Sequence, residues 1–130
     1  MMEMKFYRCN ICGQIVAMVK DTGVPLVCCG EDMEEIIPGS VDASREKHVP
    51  VIDMQDDLVI VSVGSDAHPM TAAHHIEWIA LQTKYGNQRV CLMPDADPVA
   101  CFRLCEGDEV IAAYASCNLH GLWKAEMNAD

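Results

Sequence analysis

The chain has 130 residues, of which 51% are hydrophobic, so a small domain followed by a modest one is feasible and wholesale disorder is disfavoured. Its formal net charge of −11 repels phosphate backbones, which argues against nucleic acid as a partner. No apolar run reaches the roughly 18 residues that span a bilayer, and the first residues lack the apolar segment of a secretory signal, so we expect a cytoplasmic protein without a membrane segment.

The eight cysteines and five histidines are unevenly distributed. Residues 1–37 contain four cysteines and no histidine, and the polar, turn-rich residues 38–47 are interpreted as a linker running into a loop. All five histidines lie in residues 48–130. Because cytosolic thiols are kept reduced, this usage favours metal binding over disulfides. The sequence therefore predicts two domains, each with its own metal site.

The first predicted site is built from two cysteine pairs. Cys9 and Cys12 form a Cys-x-x-Cys turn, and Cys28 and Cys29 are adjacent. A segment this short cannot bury enough apolar surface to fold alone, so a metal cross-link is expected to stabilise it. Four thiolates suit tetrahedral zinc or iron. A zinc ribbon would usually space its second pair by two residues, and the residues alone leave zinc and iron open.

After the linker the sequence predicts a series of short strands. A β-branched run over residues 58–63 stops at Gly64. Residues 74–84 and 89–93 predict two strands joined by a hairpin turn at 85–88, with a helix over 71–82 as the competing prediction. Further strands are predicted over 99–104, 110–116 and 122–126. This spacing is typical of an antiparallel sandwich or barrel, so the chain is predicted to be mainly β.

The candidate metal ligands of the second domain are His48, His68, one of His74 and His75, Cys117 and His120. His48 and His68 lie in proline-marked loops at strand ends, where distant parts of a chain converge. His75 directly follows His74, and in an extended segment only one of the two can face the same centre. Imidazole suits iron, zinc and copper. A blue-copper site that includes Met70, or a zinc hydrolase with Glu46 as general base, remains open on these residues alone.

The order of these motifs resembles the desulfoferrodoxins, the two-iron class of superoxide reductase, nearly from end to end. Cys-Asn-Ile-Cys at 9–12 with Cys-Cys-Gly at 28–30 is similar to their desulforedoxin-type domain. Their catalytic domain is matched by Glu-Lys-His-Val-Pro at 46–50, His-Pro-Met at 68–70, His74 with Ile-Glu-Trp-Ile at 76–79, and Cys-Asn-Leu-His-Gly-Leu-Trp at 117–123.

The resemblance implies a small rubredoxin- or desulforedoxin-like metal domain followed by an immunoglobulin-like antiparallel β-sandwich. It implies two irons per chain, the first bound by Cys9, Cys12, Cys28 and Cys29. The second would be bound by His48, His68, His74 and His120 around it and by Cys117 on the axis, with the sixth position open. The implied activity is the one-electron reduction of superoxide to hydrogen peroxide. The implied partners are a rubredoxin-type electron donor and a second copy of the chain.

Two charged residues beside His48 are candidate catalytic groups. Lys47 would supply a local cation that attracts the superoxide anion in an acidic protein and stabilises the developing peroxide. By resemblance, Glu46 binds the open position of the oxidised iron. An electron-transfer or metal-storage protein needs no such cation, and it remains an alternative function together with a superoxide dismutase.

Two further expectations concern the residue before Cys117 and the three remaining cysteines. Ser116 precedes Cys117 where relatives often carry Tyr, so the surroundings of the thiolate are expected to differ. Cys91, Cys101 and Cys105 match no ligand motif and are expected to be small buried hydrophobic residues.

Overall fold

The computed structural model describes residues 3–127. The chain divides into two compact units, with the boundary between Ile37 and Pro38. Strands dominate both units, which confirms the prediction of a mainly β protein. Among residues 3–127, no helix has the length and apolar character needed to cross a membrane.

The first unit contains two small antiparallel sheets of very short strands. These strands are β1 (Phe6–Arg8), β2 (Ile15–Ala17), β3 (Val27–Cys28), β4 (Glu31–Asp32) and β5 (Glu34–Glu35). Strand β1 lies between β2 and β5, while β3 pairs with β4. Among the described residues of this unit only Phe6 and Cys9 are buried. So small an apolar core cannot hold the unit together, which agrees with the expected metal cross-link.

The second unit contains two antiparallel sheets. Its elements are α1 (Arg45–His48), β6 (Pro50–Gln55), β7 (Leu58–Val63), β8 (Ile76–Thr83), β9 (Gly86–Cys91), β10 (Val99–Arg103), β11 (Val110–Cys117) and β12 (Gly121–Glu126). One sheet has the order β10-β7-β6 and the other β12-β11-β8-β9. The helical turn α1 lies within and just after the segment interpreted from sequence as a linker.

The core of the second unit is formed by inward-facing residues of both sheets. Strand β7 alternates strictly, with Val59, Val61 and Val63 fully buried, as expected when one face of a strand packs on a core. The same cluster includes Ile76, Ile79, Leu81, Ala100, Phe102, Val110, Ala113, Ala115 and Cys117. Because Cys117 belongs to this core, one candidate metal ligand is held by the most tightly packed part of the fold.

Strand β8 occupies the stretch for which a helix over 71–82 was the competing prediction, so that helix prediction is wrong. Strand β8 pairs with β9 on one side and with β11 on the other, and these neighbours satisfy its backbone groups. Strand β6 was not predicted at all, because its Asp53 and Gln55 interrupt an apolar pattern. It nevertheless pairs with β7 along its whole length.

The hairpin turn between β8 and β9 also differs from the prediction. The pair Thr83–Gly86 closes the ladder, so the turn consists of Lys84 and Tyr85 rather than residues 85–88. The amide of Lys84 donates a hydrogen bond to the Glu109 carbonyl at 2.9 Å. This contact with a neighbouring turn, which local sequence does not reveal, holds the hairpin turn in place.

The expected burial of Cys91, Cys101 and Cys105 is wrong, because all three are exposed. In β10 the buried residues are Ala100 and Phe102, so Cys101 shares the outward face with Arg103. The alternation of a strand with one solvated face explains its exposure. Cys91 ends β9, the edge strand of its sheet.

We expect Val61→Ala to lower the free energy of unfolding of the second unit by about 2 kcal/mol, because it removes two fully buried methyl groups. Urea unfolding of the full iron-loaded chain, followed by tryptophan fluorescence, measures this loss, since Trp78 and Trp123 both belong to the second unit. The matched control is Val51→Ala on β6, which is 43% exposed and should cost less than about 0.5 kcal/mol. Equal losses for the two variants would contradict the described core.

Candidate metal centres

The four cysteines of the first unit converge on one point. Cys9, Cys12, Cys28 and Cys29 hold their sulfur atoms within 4.8 Å of one another. The sulfurs of Cys12 and Cys28 are 3.7 Å apart and those of Cys28 and Cys29 are 3.9 Å apart. Tetrahedral ligands with metal–sulfur bonds of about 2.3 Å would be separated by about 3.8 Å. The cluster therefore fits a tetrahedral tetrathiolate metal.

The backbone at Cys29 explains how adjacent cysteines share one centre. Side chains of neighbouring residues in an extended chain point to opposite faces. Cys29 has a φ of +54°, in the left-handed region, so the alternation is broken directly after strand β3. This turn brings its sulfur to the same side as that of Cys28. The sequence showed that the pair was unusual, but not which backbone conformation accommodates it.

The ionisation of the thiols also fits a metal site. Backbone N–H groups of Cys12 and Ile11 lower the pKa of the Cys9 thiol to about 6. The surrounding sulfurs, those of Cys9 and Cys12 first, raise the pKa of Cys28 to about 12. Four thiolates therefore do not coexist here without a compensating cation, and metal binding would release the remaining protons.

Four imidazole rings of the second unit form a square. Ring centroids of neighbours lie 4.6–5.0 Å apart around the square, and neighbouring rings are nearly perpendicular. The corners in order are His48, His68, His74 and His120. His48 and His74 lie across a diagonal at 6.3 Å. The sulfur of Cys117 lies within 4.8 Å of the nearest ring nitrogens of His48, His74 and His120.

Hydrogen bonds at the rim of this square determine which nitrogens face its centre. The Nδ1 atom of His48 lies 2.6 Å from the Ser44 carbonyl oxygen, and Nδ1 of His68 lies 2.6 Å from the Pro69 carbonyl oxygen. Because a carbonyl oxygen only accepts, each Nδ1 carries the proton. In the neutral rings each Nε2 therefore presents a lone pair.

These lone pairs point at one another. Nε2 of His48 is 3.2 Å from Nε2 of His68 and 3.1 Å from Nδ1 of His120. Burial lowers the pKa of His48, and it lowers that of His68 to about 4, so both rings are neutral at pH 7. Nε2 of His74 is buried without a hydrogen-bond partner. Nitrogens bound at right angles, about 2.1 Å from a metal, would be about 3 Å apart, so the square fits a metal ion.

A β-bulge in the neighbouring strand orients the side chain of Cys117. Ser116 pairs with Trp78 but Cys117 pairs with Ile76, so Glu77 of strand β8 is an extra residue in the ladder. Such bulges re-aim side chains next to functional sites. Burial raises the pKa of the Cys117 thiol, while the backbone N–H groups of Leu119 and His120 oppose this shift and would stabilise a bound thiolate.

The position of His48 depends on a close approach between two segments. A Cβ added at Gly64 would collide with the Glu46 carbonyl oxygen and lie 2.9 Å from the Lys47 carbonyl carbon. The amide of Asp66 donates a hydrogen bond to the same Glu46 carbonyl at 2.9 Å. The loop that follows β7 and carries His68 is thereby attached to α1, which carries His48.

The two predicted catalytic residues have other partners in this structure. The Ser44 hydroxyl donates to the Glu46 carboxylate at 2.8 Å and holds the pKa of Glu46 below its usual range. The Lys47 ammonium lies 3.1 Å from the Asp66 carboxylate. Both residues directly precede His48 on α1, and their side chains bond to Ser44 and Asp66 rather than to the imidazoles. Their catalytic roles therefore stay predictions.

Two residues that sequence reasoning left outside the preferred ligand set have structural partners. The sulfur of Met70 accepts a hydrogen bond from the Ile76 amide at 3.4 Å, and its side chain packs against the core, which disfavours the copper alternative. Nδ1 of His75 is hydrogen bonded to the Thr71 carbonyl at 3.0 Å.

Asn118 is a positioning residue that the sequence analysis missed. Its side-chain amide donates to the Ala73 carbonyl at 3.0 Å and its side-chain oxygen accepts from the His75 amide at 2.9 Å. Its own backbone amide donates to the His75 carbonyl at 3.2 Å. These bonds hold the residues on both sides of His74 against the turn that carries Cys117. The sequence feature that could have indicated this role is the presence of an Asn inside the Cys-x-x-His motif.

Trp123 supports the square from the side. Its ring stacks on that of His48 with centroids 5.0 Å apart, and its indole N–H donates to the His120 carbonyl at 3.0 Å. It is 2% exposed and so belongs to the buried part of the second unit. One aromatic side chain thus orients two of the four imidazoles.

The two clusters match the two iron centres of a known family. Residues 40–126 match the profile of desulfoferrodoxin, and residues 2–36 match the profile of the desulfoferrodoxin N-terminal domain. The chain belongs to the desulfoferrodoxin family. The resemblance stated from the motifs is therefore confirmed.

Relatives of this family align along most of the chain. A desulfoferrodoxin of Syntrophotalea carbinolica is 44% identical over 124 residues, which cover 95% of this chain and 97% of the relative. A superoxide reductase of Pyrococcus abyssi is 34% identical over 108 residues, which cover 70% of this chain and 94% of the relative. The crystal structure of the superoxide reductase from Treponema pallidum superposes with a TM-score of 0.82 at 38% identity, covering 96% of this chain and 100% of that one.

We expect Asn118→Ala to release iron from the second site about tenfold faster, because the segment around His74 loses two of its side-chain anchors. Transfer of iron from the full chain to a chromophoric chelator gives the rate. The control is Asn87→Ala on the exposed strand β9, which should release iron like the unmodified chain. Equal rates for the two variants would mean that Asn118 does not position the site.

Proposed function

We propose that this chain is a superoxide reductase whose reaction takes place at the second metal centre. The observation that carries the proposal is the square of four imidazoles with the Cys117 sulfur beside it. Structural neighbours that contain the matching domain are superoxide reductases. When bound, the iron at this centre supplies the electron that, together with two protons, converts superoxide into hydrogen peroxide.

The ligand set controls the charge that an incoming anion meets. His48 and His68 are neutral because burial lowers their pKa values, and Cys117 contributes at most one negative charge. A divalent or trivalent cation with this set retains a net positive charge. The centre therefore attracts superoxide locally although the whole chain carries a net charge of −11.

We assign Lys47 to anion attraction and Glu46 to the open position of the oxidised centre. Both lie on α1 immediately before the ligand His48, and their side chains are partly or fully accessible to solvent. A cation at this position steers an anion and stabilises charge that develops on it. A carboxylate that occupies the open position would leave it when substrate enters. The assignment of His48, His68, His74, Cys117 and His120 as the ligands is part of the same proposal.

Further parts of the proposal rest on the family resemblance. We propose a rubredoxin-type protein as the electron donor, a homodimer as the working form, and the cytoplasm as the location. Exposed reduced cysteines are compatible with a reducing compartment, in which thiols do not form stable disulfides.

Product stoichiometry tests the function. With pulsed superoxide and the full chain reduced in advance, we expect one hydrogen peroxide per superoxide and one oxidised second-site iron per superoxide. A dismutase would release oxygen and regenerate its reduced form without a donor. An electron-transfer or storage protein would consume superoxide no faster than buffer containing apo-protein. The first of these results supports the proposal, and either of the others overturns it.

Lys47→Ala should slow the reaction with superoxide about tenfold at low ionic strength, because the anion loses its local cation. The rate should also lose the decline with rising salt that such a cation causes. Pulse radiolysis of the iron-loaded chain measures both effects. The control, Lys84→Ala in the β8–β9 turn, changes the net charge equally at the far end of an eight-residue strand. Identical rate constants for the two variants would refute the role of Lys47.

A further inference from the structure

Asp66 lies where it interferes with the cation beside the metal centre. Its carboxylate is 3.1 Å from the Lys47 ammonium, and its backbone amide donates to the Glu46 carbonyl at 2.9 Å. The Ser65 hydroxyl donates to the same carbonyl at 3.4 Å. Gly64 fits against this segment without room for a Cβ. These backbone contacts therefore place Asp66 next to Lys47, which favours the ion pair.

The carboxylate changes the field that an approaching anion meets. A lone ammonium acts as a point charge, whereas an ammonium with a carboxylate at 3.1 Å acts as a short dipole. By Coulomb's law, about 10 Å away the dipole retains at most roughly a third of the potential of the single charge. Asp66 also lies close enough to Glu46 to raise the pKa of that carboxyl, although the Ser44 hydrogen bond dominates. Asp66 thus adds negative charge beside the cation that is assigned to anion attraction.

The ion pair is exposed enough to open. The side chains of Lys47 and Asp66 are 44% and 66% exposed. Pairs of this kind contribute little to stability because solvent and salt screen them. An ion pair of this kind would open and close in solution, and Asp66 would then determine how much of the Lys47 charge is available to an incoming anion.

We propose that Asp66 is a positioning residue that holds Lys47 in an ion pair and thereby limits the rate at which superoxide is attracted. The proposal rests on the superoxide reductase function given above. Asp66 does not contact the substrate in this account, because it acts only through the position and the net charge of Lys47.

The test compares Asp66→Asn with the unmodified chain. We expect the second-order rate constant with superoxide to rise about threefold at low ionic strength, with a steeper decline as salt is added. The effect should shrink to that of the control when Lys47→Ala is already present, and Asp66→Glu should restore the original rate. Pulse radiolysis of the full iron-loaded chain measures these rate constants.

The control is Asp57→Asn, which also removes one negative charge and breaks an exposed ion pair, that of Asp57 with Arg103 at 2.8 Å. Asp57 lies in the turn between β6 and β7, at the opposite end of six-residue strands from Gly64. A change in overall charge alone would act equally in both variants. A difference in rate constant between Asp66→Asn and Asp57→Asn would therefore reflect a local effect on Lys47.

A second measurement does not depend on turnover. Trace acylation of lysines with acetic anhydride, read by peptide mass spectrometry on the resting iron-loaded chain, reports how available the Lys47 amine is. We expect Asp66→Asn to increase labelling of Lys47 about twofold or more while labelling of Lys84 stays constant, because the ion pair shields the amine.

The outcomes separate this inference from the proposed function. If the unmodified chain does not reduce superoxide, the proposed function fails and the inference fails with it, whatever the labelling shows. If it does reduce superoxide, but Asp66→Asn behaves like Asp57→Asn in rate or leaves the labelling of Lys47 unchanged, the inference alone is overturned. Faster reaction together with greater labelling supports it.

Discussion

Two nitrogen lone pairs that face each other at 3.2 Å are the constraint on which the second metal centre depends. The rings of His48 and His68 are neutral, and each has already used its proton on a backbone carbonyl. Without a cation between them the two Nε2 atoms repel each other in surroundings that exclude water. A metal ion converts this repulsion into two bonds. The buried, unpartnered Nε2 of His74 then also has a partner.

The fold can hold this arrangement because the candidate ligands are attached to several different segments of the sandwich. Cys117 ends a core strand, and the adjoining turn carries His120. His48 ends a helical turn that packs against Gly64, in the loop leading to His68. Asn118 connects the segment around His74 to the Cys-x-x-His turn. The packing of the core thus determines where the candidate ligands are placed.

The candidate ligands were easier to predict from the sequence than the backbone features that orient them. Histidine and cysteine motifs are local, so their types, spacing and family resemblance could be recognised, and the β-branched run of β7 indicated its strand directly. The bulge at Glu77, the left-handed Cys29 and the approach of Gly64 to α1 depend on segments distant in the chain or on backbone conformation. Cys101 is different, because its alternation with Ala100 and Phe102 was visible and was overlooked.

The small core of the first unit has a consequence for the life of the protein in a cell short of iron. With only Phe6 and Cys9 buried among its described residues, that unit gains most of its order from the bound metal. A chain without this ion would expose the first unit to proteases, while the second unit would retain its own apolar core. Cleavage within the first unit would therefore report whether its metal is present.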